Sequence, residues 1–312
     1  MATADPSPAA AIPADILRQV RRIEVRTRRL VDSRFAGEYR SVFKGQGMEF
    51  AEVREYQPGD EVRTIDWNVS ARMGRPFVKR YVEERELTIM LALDVSGSAR
   101  FGTRAHFKHD LAIELAGVLG LTATRNNDRV GAMLFSDEVE YVLPPRKGRK
   151  HVLRLIRDLL VTVPKSPRTG FDRAVDRLMR VLPHRSIIFL CSDFLTPALE
   201  RPLARLAQRH DVIAVTLVDQ ADRVLPDIGA ARLEDPETGE RLEIDTSHPA
   251  VRAAFAAHVQ AVEAQRMALF DRLGLDEIIV QTEHGYVDPL LAFFRARMRR
   301  PHGAVRTRTQ PL

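Results

Sequence analysis

The sequence predicts an α/β protein built on a doubly wound, mainly parallel sheet. Two observations carry that expectation. From residue 86 onward, short apolar runs such as "LTIMLALD", "SIIFLCSD" and "DVIAVTLVD" alternate with stretches of helical periodicity. These runs are apolar throughout rather than at every second position, as in strands covered on both faces, and the intervening segments are long enough to return as helices.

The elements follow in order. Residues 1–15 are Ala- and Pro-rich and are expected to be disordered. Ile16, Leu17, Val20, Ile23, Thr27, Leu30 and Val31 then fall at helical spacing with arginines on the other face, and Asp15 suits an N-cap. Residues 35–85 are polar with scattered aromatics; "QPGD" marks a turn and "FVKRYVEE" suits a strand or a short helix. After the strand ending at Asp94, "RAHFKHDLAIELAGVLGLTATR" reads as a helix, and "DRVGAMLFS" and "VEYVLPP" as a candidate strand pair. "KHVLRLIRDLLVTV" and "FDRAVDRLMRVL" are helices, "SIIFLCSD" a strand, "PALERPLARLAQRH" a helix and "DVIAVTLVD" a strand. "ARLEDPETGERLEID" reads as a hairpin with a Thr-Gly turn; a long helix over 249–272, the strand "DEIIVQT" and the helix "VDPLLAFFRARM" close the domain. The expected organisation is thus a disordered 1–15, an N-terminal helical and irregular segment 16–85, an α/β domain 86–300 with a hairpin insertion near 231–246 and a C-terminal helical extension, and a disordered basic tail 301–312.

Bulk properties narrow the function. The single cysteine, Cys191, excludes an intrachain disulfide and a thiolate metal cluster. Net charge is +6, but 1–15 carries −2, 16–34 carries +5 and 295–312 carries +6, leaving −3 over 35–294. Basicity therefore sits at the ends and not on a folded face, and the tail has no aromatics for base stacking, so nucleic acid is not the expected partner. Peripheral contact of the tail with an anionic membrane surface is compatible with this charge. The N-terminus lacks a signal-peptide pattern and no apolar window is long enough to span a membrane, so a cytoplasmic protein is expected.

The chemistry-bearing residues lie at strand ends. Asp94 ends the first strand of the α/β domain, with Ser96 and Ser98 in the loop after it. Asp193 ends another strand, and Thr169 lies in a loop entering a helix. Parallel α/β sheets place ligand sites at the carboxyl ends of their strands, so the five are expected to converge. Two carboxylates and three hydroxyls, with no His or Cys, suit a hard cation, Mg2+ first and Mn2+ second. The neutral hydroxyls leave such a cation electrophilic enough to take a carboxylate from outside.

Other patterns are weaker. "VSGSA" lacks the leading glycine of a hydrolase elbow, Ser96 stands where an aspartyl phosphotransferase carries a second acid, and no Walker loop is present. "HFKHD" (His106, His109, Asp110) reads as a histidine pair on a helix surface, and "PPRKGRK" as a solvated basic turn.

Asp94-x-Ser96-x-Ser98, with Thr169 and Asp193, resembles the metal-ion-dependent adhesion site of von Willebrand factor type A domains. "REYQPGDEVRTIDWNVSAR" (54–72), followed by "VKRYVEERE" and "LALDVSGS", and "LEDPETGE" (233–240) resemble more narrowly a MoxR-associated bacterial family of von Willebrand A-like proteins, domain of unknown function 58. The resemblance covers roughly 16–300. It implies a von Willebrand A-type sheet and a non-catalytic, metal-dependent protein-binding module. Such a module would act as adaptor or chaperone-like partner of a MoxR-type AAA+ ATPase, with a bound Mg2+ accepting a carboxylate from that partner or from a protein client. Ala99 and Gly170 depart from the family's pattern, which often has Met and an acid or amide there. Within 54–72, Gly59-Asp60 reads as a turn, and Arg63, Asp66 and Arg72 are candidates to pair. This box is either a structural plug with Trp67 in its core, the favoured reading, or a docking surface for the ATPase. Two rival functions stay open: a Mg2+-dependent phosphatase or hydrolase using the Asp94 loop, and a binder of anionic surfaces through the basic ends.

Overall fold

The computed structural model describes residues 13–31, 35–43, 49–82, 86–102, 107–196, 198–299 and 308–309. Residues 1–12 and all of the tail but 308 and 309 lie outside the described residues; the expectation of disorder as far as residue 15 is corrected, because α1 begins at Ala14 with Pro13 at its N-cap and Asp15 inside its first turn, and the expectation for 301–312 is corrected at Arg308 and Thr309, which form a short strand. In chain order the elements are α1 (Ala14–Leu30), α2 (Ala36–Phe43), β1 (Glu49–Glu55), α3 (Trp67–Met73), β2 (Phe77–Val82), β3 (Thr88–Asp94), α4 (Lys108–Arg125), β4 (Arg129–Phe135), β5 (Val139–Arg146), α5 (Arg149–Val161), α6 (Phe171–Val181), β6 (Ile187–Ser192), α7 (Glu200–Arg209), β7 (Asp211–Val218), α8 (Gln220–Arg223), β8 (Ala230–Glu234), β9 (Arg241–Asp245), α9 (Pro249–Leu273), β10 (Asp276–Gln281), α10 (Val287–Met298) and β11 (Arg308–Thr309).

A sheet in the order β11-β10-β7-β6-β3-β4-β5 forms the core. All its neighbours are parallel except β4 and β5. Only three residues separate β4 from β5, too few for a crossover, so the chain returns antiparallel. Alternate strand residues feed opposite layers. Ile89, Leu91 and Leu93 of β3 pack toward α4, α5 and α10, whereas Met90 and Ala92 pack toward α6, α7 and the Phe270 end of α9. The architecture is the doubly wound α/β sheet of von Willebrand A type expected from the sequence.

Helices α1 and α2 join this core. A Cβ on Gly117 of α4 would lie 3.0 Å from Ile23 Cγ2, so the glycine allows α1 to sit close. Phe35, Tyr39 and Phe43 each meet Phe294 of α10 edge-on at 5.9–6.2 Å between ring centres. The Tyr39 hydroxyl donates to Asp128 at 2.9 Å, and Asp128 also accepts the Leu87 amide at the entry to β3. Several arginines of the basic ends are tied to the body: Arg26 to Glu114, Arg295 to Glu38, and Arg297 to Asp211 and Asp276. Arg308 and Thr309 pair with β10.

Strands β1 and β2 form a separate antiparallel ribbon enclosing a turn and α3. Asp60 receives two hydrogen bonds from Arg54, at 2.7 and 2.8 Å, and one from the Gln57 amide. Asp66 caps α3 by accepting from the Asn68 and Val69 amides, and Gly74, at φ 68°, ends it. The expectation of Trp67 in the core of a plug is corrected: Trp67 is 68% exposed, and Val62 and Met73 are exposed with it. Among the described side chains of this unit, Ser70 and Val78 are buried, and Ser70 accepts the Phe77 amide at 2.8 Å. No helix among the described residues is long and apolar enough to cross a membrane.

Candidate functional site

The parallel register sets Leu93 of β3 beside Cys191 of β6. The next residues, Asp94 and then Ser192 and Asp193, therefore emerge at one sheet edge. Asp94 is 2% exposed and Ser96 is fully buried. One Asp94 oxygen accepts the Ser96 amide at 3.0 Å, and the other accepts the Ser192 hydroxyl at 2.7 Å. The Ser96 and Ser98 hydroxyls lie 3.2 Å apart, within hydrogen-bond distance. Burial pushes the Asp94 carboxyl up to about 7, the charge of Asp193 adds to this, and the bonds from Ser96 and Ser192 oppose it.

Asp193 accepts the Leu195 amide at 3.3 Å on one oxygen and faces Lys108 Nζ at 3.4 Å on the other. Lys108, 1% exposed, also pairs with Asp222 at 2.8 Å. Burial acts to lower the Lys108 pKa, but the charges of Asp193 and Asp222 outweigh it and hold the ammonium above its ordinary value. The "HFKHD" segment therefore does not present a simple helix surface: its lysine is an interior cation, while His106 lies outside the described residues. Phe194 follows Asp193 in the left-handed region at φ 56°, with its ring between Phe171 and Phe270.

Thr169 arrives on the loop between α5 and α6. That loop meets the Ser96–Ser98 loop directly, because the Gly97 amide donates to the Pro167 carbonyl at 2.7 Å. Gly170 fits where an acid is common because its Cβ position is only 3.1 Å from Asp137 Cα. The hydroxyl and the amide of Thr169 are both engaged by Glu237, at 2.7 and 3.0 Å, from the tip of the β8–β9 hairpin.

Asp94, Ser96, Ser98 and Asp193 thus share the sheet edge, and the Thr169 loop abuts it. Ser192, Lys108, Asp222 and Glu237 complete the surroundings and were not anticipated as site residues. A sequence signal existed for Glu237 alone, in "LEDPETGE". No cluster of three or more His, Cys, Asp or Glu among the described residues is placed to hold a metal. A cation here would therefore depend on hydroxyl oxygens beside the two acids. That hard oxygen set fits Mg2+ or Mn2+ in chemistry, and a dication would supply the positive charge that buried Asp94 lacks.

A family model described as "Protein of unknown function DUF58" matches residues 52–265. The "Uncharacterized protein Rv1480" of Mycobacterium tuberculosis is 32% identical over 284 residues, covering 90% of this chain and 89% of the relative. Among solved structures, the conserved hypothetical protein BatB from Bacteroides thetaiotaomicron aligns with a TM-score of 0.42 at 13% identity, covering 68% of this chain and 98% of BatB. The SpRpn10 VWA domain aligns with a TM-score of 0.38 at 14% identity, covering 66% of this chain and 93% of that domain.

Proposed function

The chain belongs to the DUF58 family, and from that premise we propose that it is a non-catalytic, cation-dependent protein-binding module. The observation that supports this most is the arrangement of Asp94, Ser96, Ser98 and Asp193 at one sheet edge, with the Thr169 loop against it. Asp94 and Asp193 carry the negative charge, and the three hydroxyls add neutral oxygens. Lys108 and the Leu195 amide fix Asp193, while Ser192 fixes Asp94. Bound at these residues, Mg2+ (or Mn2+) would supply an electrophilic position able to accept a carboxylate oxygen of another protein.

The partner in this reading is a MoxR-type AAA+ ATPase in the cytoplasm, with the chain as adaptor or chaperone-like factor for a protein client. The test is affinity capture from native lysate in Mg2+ or EDTA, using wild type and Asp94→Ala, with recovered proteins identified by mass spectrometry. An AAA+ ATPase recovered only by wild type in Mg2+ is the expected result. Recovery in every condition would remove the cation from recognition. Turnover of phosphate or ester substrates that disappears in Asp94→Ala would make the chain an enzyme instead.

A further inference from the structure

Helix α9 runs for 25 residues, yet Arg266 and Phe270 are its only buried positions. Its earlier apolar residues Phe255, Val259 and Val262 are half-buried. They follow one another at helical spacing on a single stripe, and Arg266 continues that stripe one turn further. Burial deepens along it, because Arg266 is 6% exposed. The stripe lines a cavity of about 260 Å3, together with Leu217 and Val218 at the end of β7 and Leu195 after β6. An apolar cavity of about 150 Å3 holds benzene, so this one has room for roughly ten non-hydrogen atoms.

The charged groups on its walls differ in how they are satisfied. Asp193 and Asp222 share Lys108. Glu263 accepts from Arg223 Nε at 2.8 Å. Each acid of the lining therefore has a cation on it. Arg266 is engaged on one side alone. Its Nε donates to Glu277 at 3.1 Å, and the same Glu277 oxygen takes the Thr216 hydroxyl at 2.8 Å. Nη1 and Nη2, which carry four of the five guanidinium donors, have no hydrogen-bond partner among the described residues. Neither is sealed from solvent, so both open onto the cavity that Arg266 lines.

A guanidinium this deep is costly while its donors go unmatched. The planar fork fits two oxygens of one carboxylate, and the walls beside it fit hydrocarbon. Glu277 on the same guanidinium disfavours a more highly charged head such as phosphate.

We propose that this cavity is a binding site for a small apolar carboxylate: the hydrocarbon lies along Phe255, Val259 and Val262, and the carboxylate takes the two outer nitrogens of Arg266. The site stands independently of any cation at Asp94.

Isothermal titration calorimetry of the purified full chain tests it, with octanoate and octanamide as probes. EDTA is present throughout, so no cation can offer the carboxylate a second place to bind. Two variants accompany wild type. Arg266→Gln with Glu277→Gln replaces the buried ion pair by a neutral one and strands no charge. Val259→Phe fills the cavity and leaves Arg266 in place. Thermal melts establish that both are folded. Wild type is expected to bind octanoate at one site, roughly tenfold tighter than octanamide, the order of a hydrogen bond to a charged group. The double variant should lose that preference, and Val259→Phe should weaken octanoate binding roughly tenfold or more. Equal affinity of wild type for the two probes would remove Arg266 from recognition and overturn the proposal. So would octanoate binding that Val259→Phe leaves unchanged, or wild type that shows no saturable octanoate binding at millimolar concentration. If the double variant does not fold, the two probes on wild type and Val259→Phe still decide.

Discussion

The carbonyl oxygen of Pro236 occupies the space that a side chain on Gly97 would need, with 2.1 Å between that oxygen and the ideal Cβ position. Gly97 has ordinary right-handed angles, φ −57° and ψ −41°, so the backbone there does not demand glycine. What demands it is the approach of a second backbone.

Gly97→Ala is therefore expected to displace the hairpin tip. The clash is between backbone and Cβ, and no side chain can swing aside to relieve it. Overpacking of this kind costs about 1–3 kcal/mol. Because the hairpin stem buries little, it should yield before the sheet does. Limited proteolysis should cut near residues 235–240 several-fold faster in the variant, with only a modest fall in Tm. Unchanged cleavage would show that the tip does not rest on Gly97 in solution.

Lys108→Met should be strongly destabilising. It leaves Asp193 and Asp222 at the interior with no cation between them, and breaking a buried pair in this way costs about 3–5 kcal/mol. Adding Asp222→Asn should recover part of the loss, since one of the stranded charges is removed. Urea titration in EDTA of the wild type, single and double variants measures the coupling. A loss below about 1 kcal/mol would mean that water reaches the pair freely.

His210 supplies a pH dependence. It is buried at the end of α7, where Nδ1 accepts the Ser186 amide at 3.3 Å and Nε2 finds no hydrogen-bond partner. Burial, and then the charges of Arg209 and Arg185, bring its pKa down to about 4 from 6.5. The unfolded chain takes up this proton first as pH falls. Stability from His210 is therefore complete above about pH 6.5 and is lost toward pH 4, by about 2 kcal/mol at pH 5. His210→Asn, which retains an acceptor, should flatten the difference in unfolding free energy between pH 7.5 and pH 5 by that amount. An equally steep profile in the variant would assign the dependence to other groups.

Trp67 is the only tryptophan, so its fluorescence reports one place. With 68% of its surface exposed, it should emit as a hydrated indole in the folded protein and be quenched by iodide almost as well as in urea. Trp67→Ser should change the unfolding free energy by less than about 0.5 kcal/mol. A blue-shifted, protected emission would return Trp67 to a core.

The local period of the sequence was enough for the sheet and for most helices. Strand β3 is apolar between Thr88 and Asp94, β6 is apolar up to Ser192, and β7 is apolar apart from Asp211 and Thr216, because helices cover both faces of the sheet, and that pattern is visible without a structure. Strand β1 carries no strand signal in the sequence, because Glu49, Glu52, Arg54 and Glu55 leave it without an apolar face; it belongs to a two-stranded ribbon outside the main sheet. The β8–β9 hairpin was legible from its turn, but its direction was not.

By itself, the sequence determined that Asp94 and Asp193 end buried strands, that Ser96 and Ser98 follow the first of them, and that Thr169 enters a helix. Each of these is a property of a few consecutive residues. Only the tertiary structure decided that Glu237 reaches Thr169 across 68 residues, that Lys108 turns inward to two acids, and that Trp67 stays outside. Those outcomes depend on which loops the crossovers bring to one edge and on how much charge the edge then holds. Strand period sets which residues reach an edge; topology and charge balance set what meets them there.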